Sequence, residues 1–153
     1  MSIHMNPIGV VQCSRQAPID DQWDKESTVI ELDATQVSPA ATLGLADFSH
    51  LEVVYLFDRV DPEGVCRGAR HPRGRTDWPL VGILAQRAKD RPNRIGITTC
   101  RIKSVSGLRI EVLGLDAIDG TPILDIKPYL REFAPRGEIH QPAWVSELMK
   151  DYF

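Results

Sequence analysis

Short apolar, β-branched runs, each closed off by Gly, Pro or Asp, recur along the whole chain, and they indicate a fold made mainly of strands. The 51–57 and 80–86 runs are almost continuously apolar, which predicts strands buried on both faces. The full set of predicted strands is 8–11, 28–32, 51–57, 80–86, 97–102, 108–113 and 122–126.

Two short connections predict how these strands are arranged. Ser106-Gly107 and Asp119-Gly120 read as tight turns, since glycine accepts positive φ. Such turns are too short for the crossover helices of a parallel sheet, so the sheet is expected to be antiparallel.

Helical signals are few. Ser38-Pro39 predicts a short helix start through residue 43, and residues 142–151 carry apolar side chains at helical spacing. The predicted fold class is therefore all-β and mainly antiparallel, a small single-sheet β-barrel with one or two short helices. At 153 residues we expect one domain, with its core at about 7–130 and a C-terminal tail and helix at 131–153.

Two cationic loops flank the 80–86 run. The first, residues 67–75, holds Arg67, Arg70, Arg73 and Arg75; the second, residues 85–96, holds Arg87, Lys89, Arg91 and Arg94 beside a Pro-Asn turn. The net charge is –3, so a nucleic-acid coat is not indicated. A local basic patch still permits selective phosphate contact.

Several classes of site are disfavoured by the sequence. The four His residues are scattered and no Cys-x-x-Cys pair occurs, so no metal site is predicted. Gly-x-Ser-x-Gly, Rossmann and Walker patterns are also missing. Cys100 is interpreted as a core residue rather than a nucleophile. Three widely spaced cysteines, no leader-like N-terminus and no membrane-length apolar run predict a reduced, cytoplasmic protein without a membrane partner.

Polar residues in two segments are candidates for chemistry. Asp116, Asp119 and Asp125 are spaced along a strand–turn–strand unit, where carboxylates bind hydroxyl or amino groups or act as bases. The alternative is that Asp119 shapes the turn and Asp125 pairs with a cation. Ser49 and His50 precede a buried strand and form either part of a site or a strand cap.

Motifs in a fixed order resemble those of the TsaA-like (YaeB-like) family. They cover most of residues 7 to 130: 7–11 (PIGVV), 48–51 (FSHL), 71–74 (HPRG), 81–85 (VGILA), 91–93 (RPN), 95–96 (IG), 114–116 (GLD), 119–122 (DGTP) and 125–129 (DIKPY). The resemblance implies a homodimeric β-barrel that uses S-adenosyl-L-methionine to methylate N6 of threonylcarbamoyladenosine beside the tRNA anticodon.

The resemblance also assigns residues to the methyl donor. The family's donor-binding segments match Leu113, Gly114, Leu115 and Asp116, then Arg87 and Ile97, then Asp58 and Arg59, and at the N-terminal loop Asp21, Gln22 and Trp23. The last match is by position only, because the sequence of that loop differs. Arg94 stands where the family has proline, which removes a fixed φ and either loosens the loop or adds a phosphate or partner contact. Longer members continue into a C-terminal domain that helps hold tRNA.

The implied reaction needs an activated exocyclic nitrogen. His50 or Asp116 would remove its proton or orient its lone pair. The residues expected to contact the tRNA anticodon stem-loop are Arg67, Arg70, Arg73, Arg75, Arg91 and Asn93, with turn stabilisation as the other role of Asn93. We expect Arg87→Ala to lower donor affinity and Arg91→Ala to weaken tRNA binding.

Two other functions are open at this point. One is a non-catalytic barrel that binds S-adenosylmethionine or RNA, and the other is a methyltransferase with a different small-molecule acceptor.

Overall fold

A computed structural model describes residues 1–153 and shows six strands closed into a barrel. The barrel strands are β1 (Gly9–Gln12), β2 (Ser27–Leu32), β3 (His50–Leu56), β6 (Ile95–Ser106), β7 (Arg109–Leu113) and β8 (Pro122–Pro128). Their order around the barrel is β1-β2-β7-β6-β3-β8, and every neighbouring pair is antiparallel. The predicted antiparallel barrel is confirmed.

A two-residue pair, β4 (Ala69–Arg70) and β5 (Val81–Gly82), lies outside the barrel. The prediction of a buried strand over 80–86 is therefore wrong. After β5 the chain turns into a 3₁₀ helix, Ile83–Ala85, in which Ile83 is buried and Leu84 is exposed. Leu80, just before β5, is exposed as well. The Gln86 side-chain amide stabilises this turn by donating to the carbonyls of Arg70 and Val81, at 3.0 and 3.1 Å.

Both predicted tight turns are present, but only one joins neighbouring strands. Gly107, with φ of 57°, forms the β6–β7 hairpin in which Ser106 faces Arg109. Gly120, with φ of 82°, forms a turn before β8, which pairs with β1 and β3 rather than with β7.

Helices are short, as predicted. Ser38 precedes a 3₁₀ helix, Pro39–Thr42, and the predicted 142–151 helix is an α-helix, α1, only over Ala143–Leu148. None of the helices has the length and apolar character that crossing a membrane requires.

The core fills the barrel interior through the strict alternation of strand side chains. Leu51, Val53 and Tyr55 of β3 point inward, and Ile110 and Val112 of β7 meet them. Cys100 is 2% exposed in this core, which agrees with its interpretation as a packing residue. Burial, with a smaller contribution from the Asp116 charge, raises the pKa of its thiol to about 12, so it is a neutral side chain near pH 7.

Candidate functional site

A cleft of about 490 Å³ lies beside the middle of β6, the start of β3 and the end of β7. It falls within the range of about 300–1,000 Å³ that is common for small-molecule sites. Its lining is Asp24, His50, Thr99, Cys100, Arg101, Leu113, Gly114 and Phe153. Three residues predicted from sequence, His50, Leu113 and Gly114, thus share one cleft. Another cleft, of about 300 Å³ beside β1 and the end of β2, holds none of the predicted site residues.

Asp116 is held by three hydroxyl groups from distant parts of the chain. Its Oδ1 accepts from the Tyr55 hydroxyl at 2.8 Å and from the Thr98 hydroxyl, and its Oδ2 accepts from the Tyr152 hydroxyl at 2.5 Å. A carboxylate offers about four lone-pair directions, so about one is left for a ligand. The arrangement fixes Asp116 as a rigid acceptor.

The two tyrosines remain protonated donors. Burial, followed by the negative charge of Asp116, raises the pKa of Tyr55 well above its ordinary value. The same two causes raise the pKa of Tyr152, and the positive charge of Arg87 opposes them.

Segment 113–116 is shaped by a glycine. Gly114 has φ of +80°, and a Cβ on it would lie 2.9 Å from Oδ1 of Asp24. Any other residue would be strained and would crowd this carboxylate. Leu115 is fully buried next to it and anchors the segment in the core.

Arg87 and Ile97, predicted as donor-binding residues, contact each other. Nη2 of Arg87 donates to the carbonyl oxygen of Ile97 at 2.5 Å. Ile97 follows the loop turn on the outer face of β6, one residue before Thr98. Arg87, Ile97 and Asp116 therefore lie near the same end of the barrel.

Arg59 joins two loops. Its guanidinium donates to the carbonyl oxygens of Gln16 and Asp119, at 3.0 and 2.9 Å. Asp58 beside it is exposed.

Asp119 accepts from the backbone N–H of Cys13 at 3.0 Å, and Lys127 pairs with Asp125 at 2.8 Å. Asp119 and Asp125 thus have the structural roles considered as alternatives for them.

The 21–23 loop is covered by residues 151–153. Backbone N–H groups of Gln22 and Trp23 donate to the carbonyls of Asp151 and Tyr152, both at 2.9 Å. Trp23 is buried under the guanidinium of Arg15, which lies 3.8 Å from the centre of its ring. Asp21 accepts from Arg73 at 2.9 Å and points to the basic loop.

His50 has one engaged and one free ring nitrogen. Its Nδ1 lies 2.7 Å from Oγ of Ser49, and Nε2 makes no hydrogen bond. In the tautomer that carries the proton on Nδ1, Nδ1 donates to Ser49 and Nε2 offers a lone pair. Because β3 alternates, the half-buried His50 faces outward into the cleft rather than into the core.

Most arginines expected to bind RNA are already paired. Arg70 contacts Asp90 at 2.8 Å, Arg73 contacts Asp21, and Arg75 contacts Asp77 and, at 3.3 Å, Glu147. Arg67 is exposed and has no ion pair.

The second cationic loop is held together by its own arginines. Nη1 of Arg91 donates to the Gln86 carbonyl at 2.6 Å. Asn93 is exposed in the left-handed region, with φ of 64°. Arg94, also left-handed at φ of 52°, donates to the Val60 carbonyl at 2.8 Å. Its guanidinium therefore ties the loop to residues 57–60.

Seven residues at this site were not predicted from sequence: Asp24, Tyr55, Thr98, Thr99, Arg101, Tyr152 and Phe153. Strand alternation places Tyr55 and Thr98 inside the barrel, but nothing in the sequence brings them to Asp116. No group of three or more His, Cys, Asp or Glu residues is arranged to hold a metal ion.

Comparisons with known proteins bear on this site. A family model described as tRNA-methyltransferase O N-terminal domain matches residues 10–134. The human tRNA (adenine(37)-N6)-methyltransferase is 34% identical over 100 residues, which are 65% of this chain and 22% of the human protein. A probable S-adenosyl-L-methionine-binding protein of Pyrococcus abyssi is 33% identical over 152 residues, covering 96% of this chain and 78% of that protein.

Solved structures agree with the fold. The crystal structure of TrmO from Pseudomonas aeruginosa has a TM-score of 0.73 and 26% identity, and the match covers 91% of this chain and 61% of that one. The chain spans about a fifth of the length of the human and mouse relatives it matches.

Proposed function

The chain belongs to the tRNA-methyltransferase O N-terminal domain family, and from this we propose that it is an S-adenosylmethionine-dependent tRNA methyltransferase. Its acceptor is N6 of an adenosine, in line with the name of the human relative. The finer proposal, carried by the TsaA-like motifs, is that this adenosine bears a threonylcarbamoyl group and lies beside the anticodon.

One observation supports the proposal above all others. Residues matched to the family's donor-binding segments, far apart in sequence, meet at one end of the barrel: Leu113 and Gly114 line the cleft, and Arg87 contacts Ile97, whose neighbour Thr98 contacts Asp116. Matches that had only structural roles would have no reason to gather at one end of the barrel.

The residues present fit the methyl donor. S-adenosylmethionine is a cation with an amino group and ribose hydroxyls, so carboxylates suit it, and Asp24 and Asp116 provide two. The missing Cβ of Gly114 leaves backbone room beside Asp24. Asp24, Gly114, Asp116 and Arg87 are the residues proposed to hold it.

Held by these residues, S-adenosylmethionine would supply an electrophilic methyl group for transfer to N6, with its sulfur as the leaving group that keeps the electron pair. The protein aligns donor and acceptor. N6 must also lose a proton, and His50 is better suited than Asp116 to accept it. Nε2 of His50 is free, whereas three hydroxyl groups already occupy the carboxylate of Asp116.

The experiment is methyl transfer from labelled S-adenosylmethionine to tRNA from cells that lack the endogenous enzyme, followed by digestion and mass spectrometry of the nucleosides. We expect one added methyl group on N6 of a threonylcarbamoyladenosine. His50→Gln is expected to lower the rate of transfer more than it lowers donor affinity. Donor binding without transfer to any tRNA would support the non-catalytic alternative, and label appearing in RNA-free metabolites would support the small-molecule one.

Homodimer formation, a cytoplasmic location and a single domain over 1–153 stay predictions. The single domain is supported by the contacts of residues 151–153 with Gln22 and Trp23. Light scattering after size exclusion tests the dimer, and one cooperative unfolding transition seen by two probes tests the domain.

A further inference from the structure

We propose that Phe153 forms a wall of the donor cleft and that Tyr152, packed against it, holds Asp116 in place. In this inference Tyr152 is a positioning residue that orients Asp116, and Phe153 presents its ring to the bound donor. The inference rests on the proposed function, since it concerns the same cleft, but neither residue belongs to the motifs that carry the family resemblance.

The two residues are held in place from both sides. On one side, the Trp23 N–H donates to the Tyr152 carbonyl at 2.9 Å. On the other, α1 is anchored by Glu147, whose Oε2 accepts from Nε1 of Trp78 at 2.9 Å. The rings of Tyr152 and Phe153 pack edge to face, with centroids 4.9 Å apart. Such double anchoring positions an aromatic pair without using a barrel strand.

Tyr152 contacts the oxygen of Asp116 that the barrel interior leaves free. Tyr55 and Thr98 both donate to Oδ1, so the Tyr152 hydroxyl is the protein donor to Oδ2. Without the Tyr152 hydroxyl, Oδ2 would be free to accept hydrogen bonds from other donors, and the carboxylate group could rotate. The orientation of Asp116 toward a ligand therefore depends on Tyr152.

Phe153 lines the cleft without filling it. The cleft measures about 490 Å³ with Phe153 as part of its lining, beside Gly114 and His50. The side chain is 53% exposed, so much of its surface is open to a ligand. An aromatic face attracts a cation, and the methyl donor is a sulfonium cation. Phe153 is therefore placed to border a bound ligand rather than to block the cleft.

The test measures binding, by calorimetry, of S-adenosylmethionine and of its neutral product S-adenosylhomocysteine to the whole protein. Tyr152→Phe should weaken S-adenosylmethionine binding about tenfold, as expected for a lost hydrogen bond to a charged group. Phe153→Leu should weaken binding of the sulfonium more than binding of the neutral product. Tyr129→Phe is the matched control, because the Tyr129 hydroxyl makes no hydrogen bond.

Hydrogen exchange at the Trp23 amide reports independently whether residues 151–153 stay seated. We expect Phe153→Leu to keep this protection, so that its effect is one of contact. Unchanged or tighter S-adenosylmethionine binding by Tyr152→Phe would overturn the inference while leaving the proposed function intact. Equal losses for both ligands in Phe153→Leu would overturn the role of the ring. A wild-type protein that does not bind S-adenosylmethionine would overturn both proposals.

Discussion

Tyr55 lies in the barrel core and donates its hydroxyl hydrogen to Oδ1 of Asp116 at 2.8 Å. The two residues are 61 positions apart, and Tyr55 is 1% exposed. The ring belongs to the hydrophobic core and the hydroxyl belongs to the site. Packing that holds the ring therefore also sets the position of the carboxylate.

Asp116→Asn should lower affinity for S-adenosylmethionine by about tenfold or more. The change removes the negative charge, and it places an amide N–H donor where the hydroxyl of Tyr152 or Tyr55 now finds an acceptor oxygen. Calorimetric titration measures the effect. Asp125→Asn is the control, because the same change there removes only a surface pair with Lys127. Similar losses in both variants would contradict a specific role of Asp116.

Gly96→Ala should destabilise the protein by about 1–3 kcal/mol, because the new methyl group would overpack the core. Its Cβ would lie 2.4 Å from Cε2 of the Tyr55 ring. Donor affinity should fall as well, since the ring carries the hydroxyl that holds Asp116.

Gly82→Ala is the matched control for this change, because no atom lies within 4 Å of its Cβ position and its φ is −61°. We expect its free energy of unfolding to be unchanged or raised by up to about 1 kcal/mol. Urea unfolding measures both variants. Equal stability of the two would refute the close approach of Gly96 and Tyr55.

Arg67→Ala should reduce the salt dependence of binding to an anticodon stem-loop RNA by about one unit of slope in log K against log salt. Arg67 is exposed and unpaired. Arg75→Ala should change the slope less, since Arg75 already pairs with Asp77 and Glu147 and stacks on Trp78 at 3.9 Å. Fluorescence anisotropy over a series of salt concentrations gives both slopes, and a larger change for Arg75 would reverse this ranking.

Stability should fall in alkaline solution partly through Cys100. Burial raises the pKa of its thiol from 9.0 to about 12, so the folded protein keeps a proton that the unfolded chain releases. The unfolded state then binds fewer protons, and stability decreases as pH rises from about 9 towards 12. Cys100→Ala should be less stable near pH 8 but show a flatter decline from pH 9 to 11 in urea unfolding. An equally steep decline would exclude this contribution.

The fold was largely predictable because barrel strands alternate in a way that a sequence displays. The run over 51–57 corresponds to β3, and Ser106-Gly107 forms the β6–β7 hairpin. The 80–86 run was wrongly predicted to be a strand because apolar content alone does not distinguish a buried strand from a turn. There only Ile83 is buried among the large apolar side chains, and Gln86 satisfies the backbone carbonyls that a strand would have paired.

The site was predictable only through its motifs. Its chemistry depends on contacts between residues that are far apart, such as Thr98 and Tyr152 on Asp116. Paired arginines were a second obstacle. The sequence displays the charge of Arg70 and Arg73, but only the structure shows that Asp90 and Asp21 lie against them.

Glu147 connects the first cationic loop to the C-terminal segment that contacts Asp116. Its carboxylate contacts Arg75 of the 67–75 loop and Nε1 of Trp78, which follows that loop. The helix that carries Glu147 ends at Leu148, shortly before Tyr152, which donates to Asp116. Under the proposed function, a polyanion that drew Arg75 away from Glu147 would leave this carboxylate with Trp78 alone, and we expect the affinity of the cleft for S-adenosylmethionine to change with it. Thermodynamic reciprocity then requires the small ligand to change the affinity for the polyanion by the same factor.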